Sequence, residues 1–216
     1  MEDTTKTPTN IHKEQFILLV VGKSGSGKDS LVRACCTREV PNQNITLTDH
    51  FYLDHEERLI KEFETNLKQV KSYTNRPKRY ENEDTHIFTN ESLKDKQNLV
   101  AWTKYNGYEY WATKDQIEES DFYIIDPKGI SNFVKNYSGN KIPIVVYVGC
   151  KWWIRFKRIW KRENIFQAIK RTWYDRKTFK DVKEKSDVFL ANNTSKDFTS
   201  AYSKLVLIFY PKAINI

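Results

Sequence analysis

Residues 22–30 read Gly-Lys-Ser-Gly-Ser-Gly-Lys-Asp-Ser and follow directly on the apolar run Phe16–Val21. No other segment restricts the fold as strongly. An apolar run, a glycine-rich turn and a helix start at Leu31–Ala34 spell strand, loop and helix. Gly22, Gly27 and Lys28 fit the phosphate-loop pattern G-x-x-x-x-G-K. Glycines let backbone N–H groups turn inward around phosphate oxygens, and the helix N-terminus adds its partial positive charge. The loop residues Gly22, Ser24, Gly25, Ser26, Gly27 and Lys28 are therefore the expected triphosphate cradle, with Lys28 reaching the β- and γ-phosphates. The alternative is a glycine-rich strand–helix turn that binds nothing.

One position departs from the pattern. The residue after the lysine is normally Ser or Thr, whose hydroxyl holds Mg²⁺; here it is Asp29, followed by Ser30. An acid suits the first turn of a helix, facing the dipole. Its carboxylate also suits Mg²⁺, which favours oxygen ligands and keeps several waters. Asp29 and Ser30 are the candidate metal-holding residues.

At 216 residues the chain has the length of one well-buried domain. Alternating apolar strands and amphipathic stretches predict an α/β class. No apolar run approaches the roughly 20 residues that span a bilayer. Met1–Glu14 is polar, lacks the apolar segment of a secretory signal, and reads as a flexible tail. Cys35, Cys36 and Cys150 show no metal-ligand spacing, and reduced thiols in a cytoplasmic protein are the simplest account.

The net charge of +8 is concentrated. From Lys151 to Lys185 there are 13 Lys/Arg against four acids (Glu163, Asp175, Asp181, Glu184), a local balance of +9, so the remainder sums to −1. Four of the six tryptophans, Trp152, Trp153, Trp160 and Trp173, lie there too. Basic residues interleaved with aromatics suit nucleic-acid binding. They also suit an arginine-bearing segment that closes over nucleotide phosphates. The blandest account is an amphipathic helix pair with solvated lysines and core tryptophans.

Periodicity and turn signals predict strands at Phe16–Val21, Ile45–Leu47, Gln69–Tyr73, Thr85–Phe88, Leu99–Tyr105, Tyr108–Ala112, Phe122–Ile125, Ile142–Val148 and Asp187–Ala191. Helices are expected at Lys28–Arg38, Asp54–Leu67, Lys114–Glu119, Ile130–Tyr137, Trp152–Arg162, Ile165–Lys183 and Lys196–Phe209. Pro41–Asn44 reads as a loop and Asn106-Gly107 as a hairpin turn. Parallel strands separated by helices would place the phosphate loop at the C-terminal edge of a sheet. The short strands between Gln69 and Ala112 form an insertion between two strand–helix units, a lobe over that edge.

This inserted lobe carries a resemblance. Guanylate kinases show, after the phosphate loop, S-x-T-T-R-x-x-R, then D-Y-x-F, F-x-E-W…G-x-Y-Y-G and L-D-I-D-x-x-G. This chain has Ser72-Tyr-Thr-Asn-Arg76-Pro-Lys-Arg79, Asp84-Thr-His-Ile-Phe88, Leu99-Val-Ala-Trp102…Gly107-Tyr-Glu-Tyr110 and Tyr123-Ile-Ile-Asp126-Pro-Lys-Gly129. Order and approximate spacing hold from residue 16 to the end. The segment Asp49–Lys68 is an insertion relative to that pattern.

The resemblance implies a P-loop kinase: a central parallel sheet flanked by helices, a small β-rich acceptor lobe and a helical lid. The core would take residues 15–68, 113–150 and 184–216, the acceptor lobe 69–112, and the lid 151–183. It implies ATP-dependent phosphoryl transfer to a nucleoside monophosphate, with ATP and Mg²⁺ as cofactors. The partners would be small nucleotides, with no membrane and no nucleic acid, in a monomer or homodimer. Ser72, Arg76 and Arg79 would hold the acceptor, since two arginines three apart on a turn make a bidentate phosphate clamp. Tyr110 matches a phosphate-contacting tyrosine, and His86 replaces the tyrosine of D-Y-x-F. Asp126 matches the last acid of L-D-I-D, which can hold a metal-bound water or orient the acceptor. It would equally cap the turn that follows its strand. Arg162 and Arg171 fall where the family places its lid arginines, which stabilise charge on the transferring phosphoryl group. Arg158 would support them. Asn192 matches the asparagine beside the adenine pocket.

The departures concern the base. The glutamate that reads guanine is Ala101 here, the first acid of L-D-I-D is Ile124, and Trp111-Ala112 replaces Gly-Ser. Guanine presents N1–H and N2–H donors and needs a buried acceptor. The phosphate loop, Asp29 included, and His86 are also similar to ribose 1,5-bisphosphate phosphokinases, which share the fold and lack guanine readers. The Arg76/Arg79 clamp and Tyr110 keep the expected acceptor a nucleoside monophosphate, GMP or dGMP first with another (deoxy)nucleotide left open, and a phosphosugar is the alternative. A non-catalytic nucleotide- or nucleic-acid-binding module is the reading from another class.

Overall fold

The computed structural model describes residues 15–37, 66–78, 81–91, 98–105 and 107–210. The expectations for the tail, the loop Pro41–Asn44, the strand Ile45–Leu47, most of the helix Asp54–Leu67 and of the insertion Asp49–Lys68, Arg79 and Asn106 fall outside those residues, and the expected helix's last two positions, 66 and 67, are not helical.

Among the described residues the fold is α/β with two four-stranded sheets. The first strand, β1 (Phe16–Val21), is the apolar run. It pairs in parallel with β6 (Phe122–Ile124) on one side and β7 (Ile142–Gly149) on the other, and β8 (Val188–Ala191) lies parallel beyond β7. The order is β6-β1-β7-β8. Strand side chains alternate between faces, and both faces of β1 are covered, so the strand is apolar throughout. Leu18 and Val20 pack with Leu31, Val32 and Cys35 of helix α1 (Lys28–Thr37) and Leu205 and Phe209 of helix α6 (Ser195–Phe209). Ile17 and Leu19 pack on the opposite face with Ile117 of α2 (Lys114–Glu118) and Phe133 of α3 (Pro127–Asn136).

The second sheet has the order β3-β2-β5-β4. It is built from β2 (Tyr73–Thr74), β3 (Ile87–Phe88), β4 (Leu99–Tyr105) and β5 (Tyr108–Thr113). Tyr105 opposite Tyr108 closes the β4–β5 hairpin, and Gly107 takes the left-handed φ of 87° the turn requires. The strand expected over Gln69–Tyr73 is divided. Gln69 bridges Phe122 at the edge of the parallel sheet, whereas Tyr73–Thr74 pairs with β3 and β5. The segment changes sheets between them, so no single ladder takes its backbone groups.

The basic region forms α4 (Trp152–Arg162) and α5 (Ile165–Thr178), joined at Glu163-Asn164. Asn164 caps α5 by accepting from the Gln167 amide. The helix expected to reach Lys183 stops at Thr178, followed by turns through Lys185. The tryptophans are not core residues: Trp152, Trp153, Trp160 and Trp173 are all more than half exposed. Helix α4 instead buries Arg155 and Ile159, and α5 buries Ala168 and Asp175.

Candidate active site around the phosphate loop

The loop from Gly22 to Gly27 leaves the C-terminal end of β1, and Lys28 opens α1. Gly25 and Gly27 have φ of 74° and 86°. A Cβ at Gly25 would stand 2.8 Å from the Arg155 carbonyl, and one at Gly27 would strike the Asn192 amide. Both positions need glycine for conformation and for space. The Ser26 hydroxyl is buried inside the loop with no partner. Backbone turned through two left-handed glycines and a lysine at the helix start suit a polyphosphate.

The underside of the loop is held by residues far away in sequence. Asn192, at the end of β8, donates its side-chain amide to the Ser26 carbonyl at 2.8 Å and is buried. It supports the loop from below. Arg158 Nη1 lies 3.3 Å from the Gly25 carbonyl and 3.3 Å from the Asn192 carbonyl. Arg155 Nη1 donates to the Ser24 carbonyl and to Asp175 Oδ2, each at 3.1 Å. Asp175 Oδ2 accepts from the Ser24 amide at 2.8 Å, and Oδ1 lies 3.3 Å from its hydroxyl. Burial pushes the Asp175 carboxyl above its ordinary range, against the pull of the Ser24 amide and Arg155. Helices α4 and α5 are thus fastened to the loop by a buried ion pair.

Lys28 Nζ pairs with Asp29 Oδ2 at 3.1 Å, and the Asp29 carboxylate is two-thirds exposed. The lysine therefore offsets the repulsion this acid would exert on phosphate. Asp29 and Ser30 sit together at the first turn of α1. Among the described residues no three His, Cys, Asp or Glu side chains cluster as a ready-made metal site.

A cavity of about 190 Å³ opens beside the loop. Gly22, Ser24 and Lys28 line it from the loop, and Asp126 and Lys128 from the start of α3. Ser72, His86, Trp102, Thr103 and Tyr110 line it from the second sheet, and Arg171 and Asp175 from α5. Asp126 Oδ1 caps α3 by accepting from the Gly129 amide at 2.7 Å, so it has both a capping contact and a cavity face. Ser72 Oγ and His86 Nδ1 are 3.0 Å apart, and the His86 ring meets Tyr110 edge to face at 5.5 Å. Tyr105, at the hairpin tip, packs edge to face on Tyr174 of α5 at 5.1 Å. The second sheet and α5 therefore already touch across the mouth of the cavity.

Two sets of residues are placed differently from the simplest expectation. Arg76 is buried, and its guanidinium is bidentate to Glu83, with Nη2–Oε1 at 2.7 Å and Nη1–Oε2 at 3.1 Å. It stacks over Phe88 and also interacts with the Tyr110 phenol. It stands behind Tyr110, outside the cavity wall. Arg162 and Arg171 are brought together by Glu163, which accepts from Arg162 Nη2 at 3.0 Å and Arg171 Nε at 3.1 Å. Arg171 lines the cavity, whereas Arg162 is half exposed at the end of α4.

No protein-family model and no curated protein matches the sequence. Among solved structures, guanylate kinase from Anaplasma phagocytophilum is similar over 91% of this chain and 87% of that chain, at 12% identity and a TM-score of 0.49.

Sequence reasoning passed over Arg155, Asp175, Glu83 and Glu163. The signal for two of them was present. Only four acids interrupt the 13 cations of 151–185, and two of the four, Glu163 and Asp175, pair with arginines around the site. Ala101 is fully buried in the core beneath the second sheet, while its neighbours Trp102 and Thr103 line the cavity.

Proposed function

We propose that the protein is an ATP-dependent kinase that phosphorylates a nucleoside monophosphate, GMP- or dGMP-like, giving the diphosphate and ADP. One observation carries the reading: loop residues, second-sheet residues and an arginine of α5 line a single cavity. A donor bound at the loop and an acceptor held by Ser72, His86 and Tyr110 would present their phosphates to each other there. Phosphoryl transfer needs this positioning and charge stabilisation more than covalent help.

In this reading the loop amides and Lys28 hold the donor phosphates, with Asn192 keeping the loop in shape. Asp29 and Ser30, in the first turn of α1 and outside the cavity lining, would hold Mg²⁺ and its waters together with Asp126 of the cavity wall. The ion supplies charge neutralisation between the phosphates when bound. Arg171 faces the cavity and would take charge developing on the transferred group, and Glu163 couples it to Arg162. Asp126 and Lys128 would orient the acceptor. Arg76 acts through Tyr110, which it backs, and Arg79 would supply the charge that meets the acceptor phosphate. Tyr105 on Tyr174 would help exclude water.

The base is read without a buried carboxylate at Ala101, so Trp102 stacking and Thr103 hydrogen bonding would set preference. Discrimination among bases should be shallow. Residues 69–112 then serve as the acceptor lobe and 151–183 as the lid of one catalytic domain, working as a monomer or homodimer in the cytoplasm.

The test is a coupled ADP-release assay with ATP and Mg²⁺ across all ribo- and deoxynucleoside monophosphates. Turnover with at least one is expected. Turnover with none would overturn the proposal. Ribose 1,5-bisphosphate belongs in the same panel, because His86 bonded to Ser72 in the cavity would also suit a phosphosugar.

A further inference from the structure

Helices α4 and α5 expose apolar stripes. On α4, the exposed Trp153 and Trp160 recur at i and i+7, with the half-buried Phe156 between them at i+3. On α5, the exposed Phe166, Ile169 and Trp173 recur at i, i+3 and i+7. Residues at that spacing share one helix face. The faces lie opposite the buried Arg155 of α4 and the buried Ala168 and Asp175 of α5. Since Arg155 and Asp175 meet at Ser24, both stripes face away from the phosphate loop. Phe166 is 80% exposed, Trp173 65% and Ile169 55%. Soluble surfaces rarely keep so many large apolar side chains together without a use.

The charge around the stripes is of one sign. Lys157, Lys161, Lys170, Arg176 and Lys177 are exposed beside them, and no acid between 151 and 178 is in the exposed class. Lys177 Nζ lies 5.0 Å above the Trp173 ring, and Lys151 Nζ 5.3 Å above the Trp153 ring. Aromatic and aliphatic side chains on the outward face, edged by long cations, match the requirements of a bilayer interface. The rings and Ile169 would enter the headgroup boundary while lysine stems lie along it and ammonium groups meet lipid phosphates. A nucleic acid would use the cations and stack on the rings, but Ile165 and Ile169 offer it no π-face. A second copy of the chain would bring like charge against like.

We propose that the outward face of α4 and α5 docks on an anionic phospholipid surface and holds the protein there peripherally. The attachment is in-plane, since among the described residues no helix is long and apolar enough to cross a membrane.

Sedimentation of the full chain with vesicles tests this. One vesicle set is phosphatidylcholine alone, and the other contains about 30% phosphatidylglycerol, a charge density suited to surface attraction. The protein is expected to pellet with the anionic set only, to be released by high salt, and to show blue-shifted tryptophan emission when bound. Trp160→Ser/Phe166→Ser/Trp173→Ser should bind about tenfold more weakly while melting at the wild-type temperature. If that variant does not fold, Phe166→Ser alone and Lys170→Gln/Lys177→Gln carry the same comparison. Lys28→Ala should bind vesicles as wild type does, which separates attachment from turnover. Three results would overturn the proposal. One is wild type left in the supernatant above anionic vesicles, and another is unweakened binding by the variants. The third is tighter, equally variant-sensitive binding to an oligonucleotide or to a second copy of the chain.

Discussion

The Asp175 carboxylate accepts from the Ser24 backbone amide at 2.8 Å, although 151 positions separate the two residues. An amide of the phosphate loop is thus held by an acid from α5. Arg155 sits between them, bonding the Ser24 carbonyl and Asp175 at once. The pair is almost fully buried, with side-chain exposures of 5% and 2%.

Removing one partner of that pair should be costly. Asp175→Ala leaves the Arg155 guanidinium buried without its counter-charge, and a loss of about 3–5 kcal/mol is expected. Chemical denaturation measures it. Arg155→Met/Asp175→Leu should recover most of the loss; a double variant as unstable as the single one would show that the loop depends on the pair itself.

Lys28→Ala is expected to leave the fold intact, because the side chain reaches the cavity and its ion pair with Asp29 is partly exposed. Turnover in the ADP-release assay should fall by about a hundredfold or more. Circular dichroism and melting temperature should not change. Near-wild-type turnover would remove the lysine from the proposed reaction.

Arg171→Ala should lower kcat by about a hundredfold with little effect on KM, since its charge would matter most in the transition state. Arg162→Ala should do the same more weakly, because Arg162 lies outside the cavity and is joined to Arg171 through Glu163. A change confined to KM would assign both to ground-state binding.

Glu83→Ala should unfold the second sheet's β2–β3 region first. Arg76 is bidentate to Glu83 and buried, so the substitution strands a guanidinium behind Tyr110. A stability loss of about 3–5 kcal/mol is expected. Hydrogen exchange should report faster opening around Tyr73–Thr74 than around β1.

The start of α6 makes a pH prediction. Asp197 accepts from the Asn193 and Thr194 amides at 3.0 and 3.2 Å, and these bonds hold its carboxyl below the ordinary value of 3.8. A lowered folded value means the stabilisation is complete above pH 3.8 and is lost as pH falls through the folded value. Asp197→Asn should therefore flatten part of the acid limb of the stability curve below that pH. An unchanged acid limb would show that the capping carboxylate does not contribute.

Much of the fold was legible because its signals are local. Phe16–Val21 reads as a strand from its unbroken apolar run, and Lys28 opens a helix directly after the glycine loop. Hairpin β4–β5 follows from its turn. One expectation misses where a segment answers to two neighbours, and another where a helix stops early. Gln69–Tyr73 looked like one strand yet serves two sheets, and Ile165–Lys183 looked like one helix yet ends at Thr178.

The sequence by itself determined the strand, the glycine loop, the lysine and the helix start, because their chemistry depends on spacing within a dozen residues. It also determined that basic and aromatic residues crowd into 151–185. Tertiary structure alone decided what those residues touch. It turned Arg76 onto Glu83 and Asp175 onto the phosphate loop, and left the tryptophans in solvent. A partner's identity depends on which groups meet across the folded chain, and residues 151 positions apart have no local pattern to announce the meeting.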